Sequence, residues 1–228
     1  MSHPTQHKKA QAEPRKFLWL LIAQITLLFI YPLVEDHHLE SWIVMALGLF
    51  VLLAALWSVA DNKRTLLIGA LTGIPAVALN WSPLWGNDPL RIIALIFGLS
   101  FYLYINYHLI KSVLQAPKVT ADIIAGSIAV YLLLGITWAA IYTGIDSLIP
   151  GSFNVSNPLD PKADLTRPDF LYFSFITLST LGYGDIVPIK PLARSFAFME
   201  AMVGVIYVAV FVGRIVALHK PMESTPKK

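Results

Sequence analysis

Thr177-Leu178-Ser179-Thr180-Leu181-Gly182-Tyr183-Gly184-Asp185, followed by Ile186-Val187-Pro188, sets two glycines one residue apart in an otherwise apolar neighbourhood. Gly182 and Gly184 reach positive φ without a Cβ penalty, so the backbone here can alternate between ordinary and left-handed conformations. Immediately before it, the run from Pro168 to Ser179 is apolar enough to enter a bilayer. At about a dozen residues it is too short to cross one, which takes ~20. It is predicted to re-enter from the outer side as a short helix. Thr166 and Asp169 fit a capping box at its start, with the acidic group near the positive end of the helix. The opposite, negative end then points toward the membrane centre and favours a cation that is shedding its water.

Working outward, the rest of the chain is built for lipid. Of its 228 residues 56% are apolar and 14% charged, against ~25% charged in soluble domains, and the mean hydropathy is +0.64. Apolar runs near 17–34, 42–60, 65–80, 90–111, 121–144 and 192–218 predict six transmembrane helices in an all-α membrane protein. Six spans leave no room for a separate soluble domain of ~100 residues, so function is expected in the membrane part. The chain has no cysteine, which excludes disulfides and thiolate metal sites. A net charge of +3 reflects cytoplasmic Lys and Arg, and no motif points to nucleic acid as a partner.

The first run starts after Lys8, Lys9, Arg15 and Lys16 and reads as a retained anchor. With a cytoplasmic N-terminus, Lys63, Arg64, Lys111, Lys118, Arg214, Lys220, Lys227 and Lys228 also fall inside, twelve of 17 basic residues in all. Arg91, Lys162, Arg167, Lys190 and Arg194 stay outside. This bias places both termini in the cytoplasm of a multi-pass plasma-membrane protein. Trp19, Trp42, Trp57, Trp81 and Trp85 lie near span ends as interfacial belt residues. Pro75 is expected to kink the third span, and the polar segment 145–168 to form an exposed outer loop. The resulting division is a tail (1–16), a peripheral four-helix unit (17–111), a linker (112–119), a pore unit (120–218) and a second tail (219–228).

The central stretch resembles the selectivity filter of tetrameric potassium channels, whose pattern is T-x-x-T-x-G-Y-G-D. The resemblance extends from about residue 120 to 218 and covers outer helix, pore helix, filter and inner helix. It implies that the carbonyls of Thr180, Leu181, Gly182 and Tyr183, with the Thr180 hydroxyl and the geometry supplied by Gly184, replace the water around potassium in successive sites. It implies that Asp185 concentrates cations at the outer mouth. Tyr183 is expected to turn its ring toward the pore helix, where Tyr172 and Phe173 supply aromatic neighbours. One strand of carbonyls cannot enclose an ion and the chain holds one motif, so four copies are required. By resemblance they form a homotetramer with the filter on its axis. Potassium is the permeant ligand, and no cofactor is expected.

Several residues depart from the family pattern. Leu181 stands where valine is usual, Ile176 where some relatives carry a glutamate that pairs with the mouth aspartate, and Tyr172-Phe173 where two tryptophans are common. The fourth span carries Arg91 at one end, Lys111 at the other and only His108 between, so no arginine ladder is present and a steep voltage sensor is not expected. Glu200, the one acid in the interior of a predicted span, reads as a brace between inner and pore helices, with conduction or pH sensing as the alternative. Gly204 matches the family's inner-helix hinge or serves close helix packing. Val205, Val208, Val212 and Ile215 recur at helical spacing and line a dewetting gate or pack outward. Glu35-Asp36-His37-His38-Glu40 is read as a solvated loop over a metal site.

A passive potassium channel is therefore the leading expectation. A weakly selective monovalent cation channel and a potassium-uptake transporter subunit are the alternatives. An enzyme or scaffold ranks lower, because the spans carry no nucleophile-base pair or phosphate loop. The tails are too short to fold as sensors, which leaves lipid, tension, pH, filter gating or a separate regulatory partner protein to open the pore.

Overall fold

The computed structural model describes residues 15–34, 40–60, 63–80, 88–155 and 165–218. The expectations placed on residues 1–14 and 219–228, on the cluster at 35–38, on Trp81 and Trp85 and on the side chains of Glu40, Trp42 and Arg91 lie outside what the structure describes. The chain is mostly helical. In order it forms α1 (Lys16–Val34), α2 (Glu40–Ser58), α3 (Lys63–Asn80), α4 (Asp88–Gln115), α5 (Ala121–Leu148), β1 (Phe153–Val155), α6 (Arg167–Leu178), β2 (Ile186–Pro188) and α7 (Pro191–Leu218). Among the described residues three helical stretches are long and apolar enough to cross a membrane: Ile92–Gln115, Ala121–Leu148 and Pro191–Ala217. Shorter apolar stretches occupy Lys16–Ile30 and Ala46–Ser58. Helix α3 runs through Pro75.

Helix α5 is the spine, packing on α1, α4, α6 and α7. Its start is fixed twice. The Thr120 side chain accepts the Ile123 N–H at 3.3 Å, and Asp122 in its first turn accepts the Leu18 N–H of α1 at 3.0 Å. Both use N–H groups that a helix start leaves without intrahelical partners. On its peripheral side Val130 and Leu133 join Leu20, Ala55, Phe101 and Ile105 in one apolar core. On its other side Trp138, Tyr142 and Ile145 join Phe153, Phe170, Phe173 and Leu178 in a second, aromatic core.

One boundary and two features differ from those expected. Helix α4 continues four residues past Lys111 to Gln115, so the linker is 116–120 rather than 112–119. Pro117 sets the stop, because a residue preceding proline is pushed out of the helical region. Arg214 of α7 donates to the Ala116 carbonyl at 2.5 Å and ties the linker to the C-terminal part of α7. The segment expected to form an exposed polar loop is not all polar: the Phe153 ring inserts between Tyr142, Phe170 and Phe173 at centroid distances of 5.5, 5.1 and 5.4 Å. With Phe153 buried, β1 pairs antiparallel with β2, Asn154 opposite Val187, and a two-stranded ribbon enters a fold expected to be all-α. The ribbon fastens the outer loop to the chain just beyond Asp185. The adjoining Ser152 carbonyl accepts the N–H groups of Ile189 and Lys190 at 2.8 and 3.3 Å.

Candidate functional site: a carbonyl-lined filter

Helix α6 is held at both ends. At its start the Asp169 carboxylate accepts the Thr166 N–H at 2.8 Å and the Thr166 hydroxyl at 2.7 Å. At its end, where a helix leaves carbonyls unsatisfied, the following segment folds back. The Ile176 carbonyl accepts the N–H groups of Leu181 and Gly182 at 2.8 and 3.1 Å, and the Thr177 carbonyl accepts that of Thr180 at 2.9 Å. Ser179 gives both its N–H (3.0 Å) and its hydroxyl (2.7 Å) to the Phe175 carbonyl.

These bonds take the N–H groups of Ser179, Thr180, Leu181 and Gly182. Among the described residues, the carbonyls of Thr180, Leu181, Gly182 and Tyr183 accept no backbone hydrogen bond. The backbone alternates as consecutive carbonyls require: φ is +60° at Thr180, +53° at Gly182 and +81° at Gly184. A β-branched residue at positive φ is an outlier that carries roughly 1–3 kcal/mol of strain and persists only where its surroundings impose it. At Thr180 the helix end imposes it, through the Thr180 N–H bond to α6. Leu181 and Tyr183 are 55% and 68% exposed on one chain.

The outer end has its own fastening. The Tyr172 hydroxyl donates to Asp185 Oδ2 at 2.6 Å, and this bond is the main reason the phenol pKa is pushed up to about 12. Phe173 does not share that face, since successive helical residues point ~100° apart; it is buried against Tyr142 and Phe153 behind α6. Glu200 is fully buried. Its Oε1 lies 2.5 Å from Ser174 Oγ, its Oε2 lies 2.5 Å from the Tyr142 hydroxyl, and Ser174 Oγ is also 2.8 Å from the Gly135 carbonyl oxygen. One carboxyl therefore joins α5, α6 and α7.

One turn along α7, Gly204 backs directly onto the Leu178 carbonyl, where any Cβ would overlap the oxygen. Below the filter a cavity of about 530 Å³ is bounded by Ser179, Thr180, Gly204, Val205, Val208 and Val212 among others. Ile215, the last of the gate candidates, is half-buried and outside that lining. Sequence reasoning missed the positive φ of Thr180, the Tyr172–Asp185 bond and the Ser174 and Tyr142 partners of Glu200. Stepping back by two from Gly184 and Gly182 reaches Thr180, so the alternation itself carried the first signal.

The same part of the chain is similar to known proteins. A family model described as ion channel matches residues 130–219, from α5 through the filter to the end of α7. A two pore potassium channel c of Oryza sativa subsp. japonica is 35% identical over 88 residues, 38% of this chain and 17% of the relative. The inward rectifier potassium channel Kirbac3.1 of Paramagnetospirillum magnetotacticum is 35% identical over 97 residues, 37% of this chain and 32% of the relative. The voltage-gated potassium channel Kch of Escherichia coli (strain K12) is 27% identical over 139 residues, 58% of this chain and 31% of the relative. The matches thus span no more than about a third of each of these relatives.

Proposed function

We propose that four copies of this chain assemble around a common axis into a potassium-selective channel, with the Thr180–Gly184 backbone as the filter. The observation that carries this reading is the alternating positive φ at Thr180, Gly182 and Gly184 beside carbonyls that no N–H satisfies. Such backbone at membrane depth is tolerable only where protein or a water-filled, ion-bearing path completes it. Rings of carbonyls from four copies would exchange for the hydration shell of potassium, and several sites in series let ions leave as readily as they enter. The negative end of α6 adds a field favourable to a cation. Asp185, held by Tyr172, concentrates cations at the mouth. The reading is of a passive pore, with no enzymatic step and no cofactor.

In this reading the membrane is crossed six times: α1 to α4 form a peripheral unit, and α5 and α7 frame the pore. Both ends of the chain face the cytoplasm, and lipid surrounds the assembly at the plasma membrane. With no Arg or Lys in α4 between Arg91 and Lys111, voltage does little work on the channel, since each charge moved is worth ~2.3 kcal/mol per 100 mV. Open probability should change shallowly with voltage, and a steep sigmoid would remove that part of the reading. A weakly selective cation channel and an uptake-transporter subunit are the alternatives. Reversal potentials of the purified protein in a bilayer separate them: tracking of the potassium gradient when sodium replaces potassium supports the channel, and equal response to both ions overturns it.

A further inference from the structure

The hydroxyl and carboxyl oxygens around Glu200 make three close contacts: Glu200 Oε2 with the Tyr142 hydroxyl at 2.5 Å, Glu200 Oε1 with Ser174 Oγ at 2.5 Å, and Ser174 Oγ with the Gly135 carbonyl at 2.8 Å. Each needs one proton between its oxygens. Tyr142 and Ser174 own one hydroxyl proton each, and the Gly135 carbonyl owns none. With an ionised Glu200, two protons serve three contacts and one oxygen pair is left facing without a proton. With a protonated Glu200 the count closes: Tyr142 donates to Oε2, the carboxyl O–H on Oε1 donates to Ser174, and Ser174 donates to the Gly135 carbonyl.

We infer that Glu200 works as a neutral carboxylic acid, donor and acceptor at once, and is the positioning residue that seats the pore helix between α5 and α7. Separations near 2.5 Å suit a carboxyl in either state, so the proton count and the surroundings decide. Glu200 is fully buried, and its partners among the described residues are the two hydroxyls, with no cation. The titratable groups that face it are Tyr142 and Tyr131, both from α5; α6 presents the uncharged Ser174. An isolated carboxylate here would carry a full desolvation penalty that two hydroxyls cannot offset.

The placement gives the neutral form a purpose. Glu200 and Gly204 are one turn apart on α7 and meet Ser174 and Leu178, one turn apart on α6. The two rungs fix the register of α7 against the helix whose last carbonyls hold the filter N–H groups. A neutral acid ties these helices together without placing four buried negative charges behind the filter, where they would compete for the permeant cation. This role rests on the channel reading; the protonation itself does not.

Two measurements test it on the full-length protein in lipid. In infrared spectra at neutral pH, the wild type minus Glu200→Gln difference should contain the C=O stretch of a protonated carboxyl. Glutamine also donates to Ser174 and accepts from Tyr142, so E200Q should keep potassium flux within about threefold. Glu200→Ala leaves two buried hydroxyls without their partner and should lower flux by about tenfold or more. If E200A does not assemble, Tyr142→Phe removes one donor and should weaken the same seat. A wild type without the protonated band, or an E200Q that loses flux as E200A does, overturns the assignment. A wild type with the band but no potassium flux overturns the channel reading alone.

Discussion

The peripheral and pore halves of the molecule both bury polar side chains, and they finish them differently. On α1, Gln24 is fully buried with neither amide atom partnered, and on α4 Asn106 gives one N–H to Thr137 at 2.8 Å while its oxygen stays unpartnered. In the pore half Glu200, Ser174 and Tyr142 are each partnered across three helices, and Tyr172 reaches across to Asp185 Oδ2; the loose ends there are Asp185 Oδ1 and Arg214 Nε, neither of them among the groups that join α5, α6 and α7. A helix that only has to pack tolerates loose polar ends. The seat directly behind a strained filter backbone is finished, because an error there moves the carbonyls themselves.

The largest effect is expected where the backbone allows least. Gly182→Ala places a Cβ at a φ of +53°, which disfavours the conformation by roughly 1–2 kcal/mol in each of four copies. Selectivity for potassium over sodium, read from reversal potentials, should fall by about tenfold or more. Gly204→Ala comes next. A Cβ driven into the Leu178 carbonyl should destabilise each protomer by about 1–3 kcal/mol, seen as a lower midpoint for thermal dissociation of the assembly. A glycine acting only as a hinge gives the opposite sign, since alanine favours a helix by up to about 1 kcal/mol.

Tyr172→Phe is smaller. It removes the bond to Asp185, worth about 0.5–1.5 kcal/mol, and should make potassium currents decline faster during sustained opening. The same bond sets a pH window. The phenol is held above its ordinary value, so its contribution is complete below about pH 10 and is lost only as pH rises through about 12. Currents of the wild type and Y172F should therefore keep the same ratio from pH 7 to 9, and a change of that ratio within the window would show that another group governs the mouth. The smallest effect belongs to the peripheral half. Gln24→Leu replaces an unpartnered amide by an apolar side chain and should leave flux unchanged while stability stays level or rises by up to about 1 kcal/mol. A loss of flux in Q24L would erase the contrast between the halves.

Several local elements between residues 165 and 188 were legible because their signals are local. A threonine and aspartate at capping spacing and an apolar run of about a dozen residues marked α6, and two glycines one residue apart marked two of the positive-φ positions that follow it. The parts that escaped depend on partners distant in sequence. Nothing near Glu200 announces Tyr142, 58 residues away, and an outer loop rich in Pro, Asp and Asn hides that Phe153 belongs to the aromatic core behind α6. Lys111 suggested a helix end, but a single lysine at a membrane surface leaves helix geometry intact and Pro117 does not. In the peripheral half the apolar runs located the helices, while the pairing of α3 with α4 and of α1 with α2 came only from the packing.

The central claim is that main-chain oxygens from four copies take the place of water around potassium. The most direct measurement is anomalous diffraction from crystals of the assembled protein soaked in rubidium, a heavier stand-in for potassium. The account predicts a line of peaks on a fourfold axis, each framed by carbonyls from Thr180 to Tyr183. Peaks away from that axis, or an assembly of any number other than four, would contradict it.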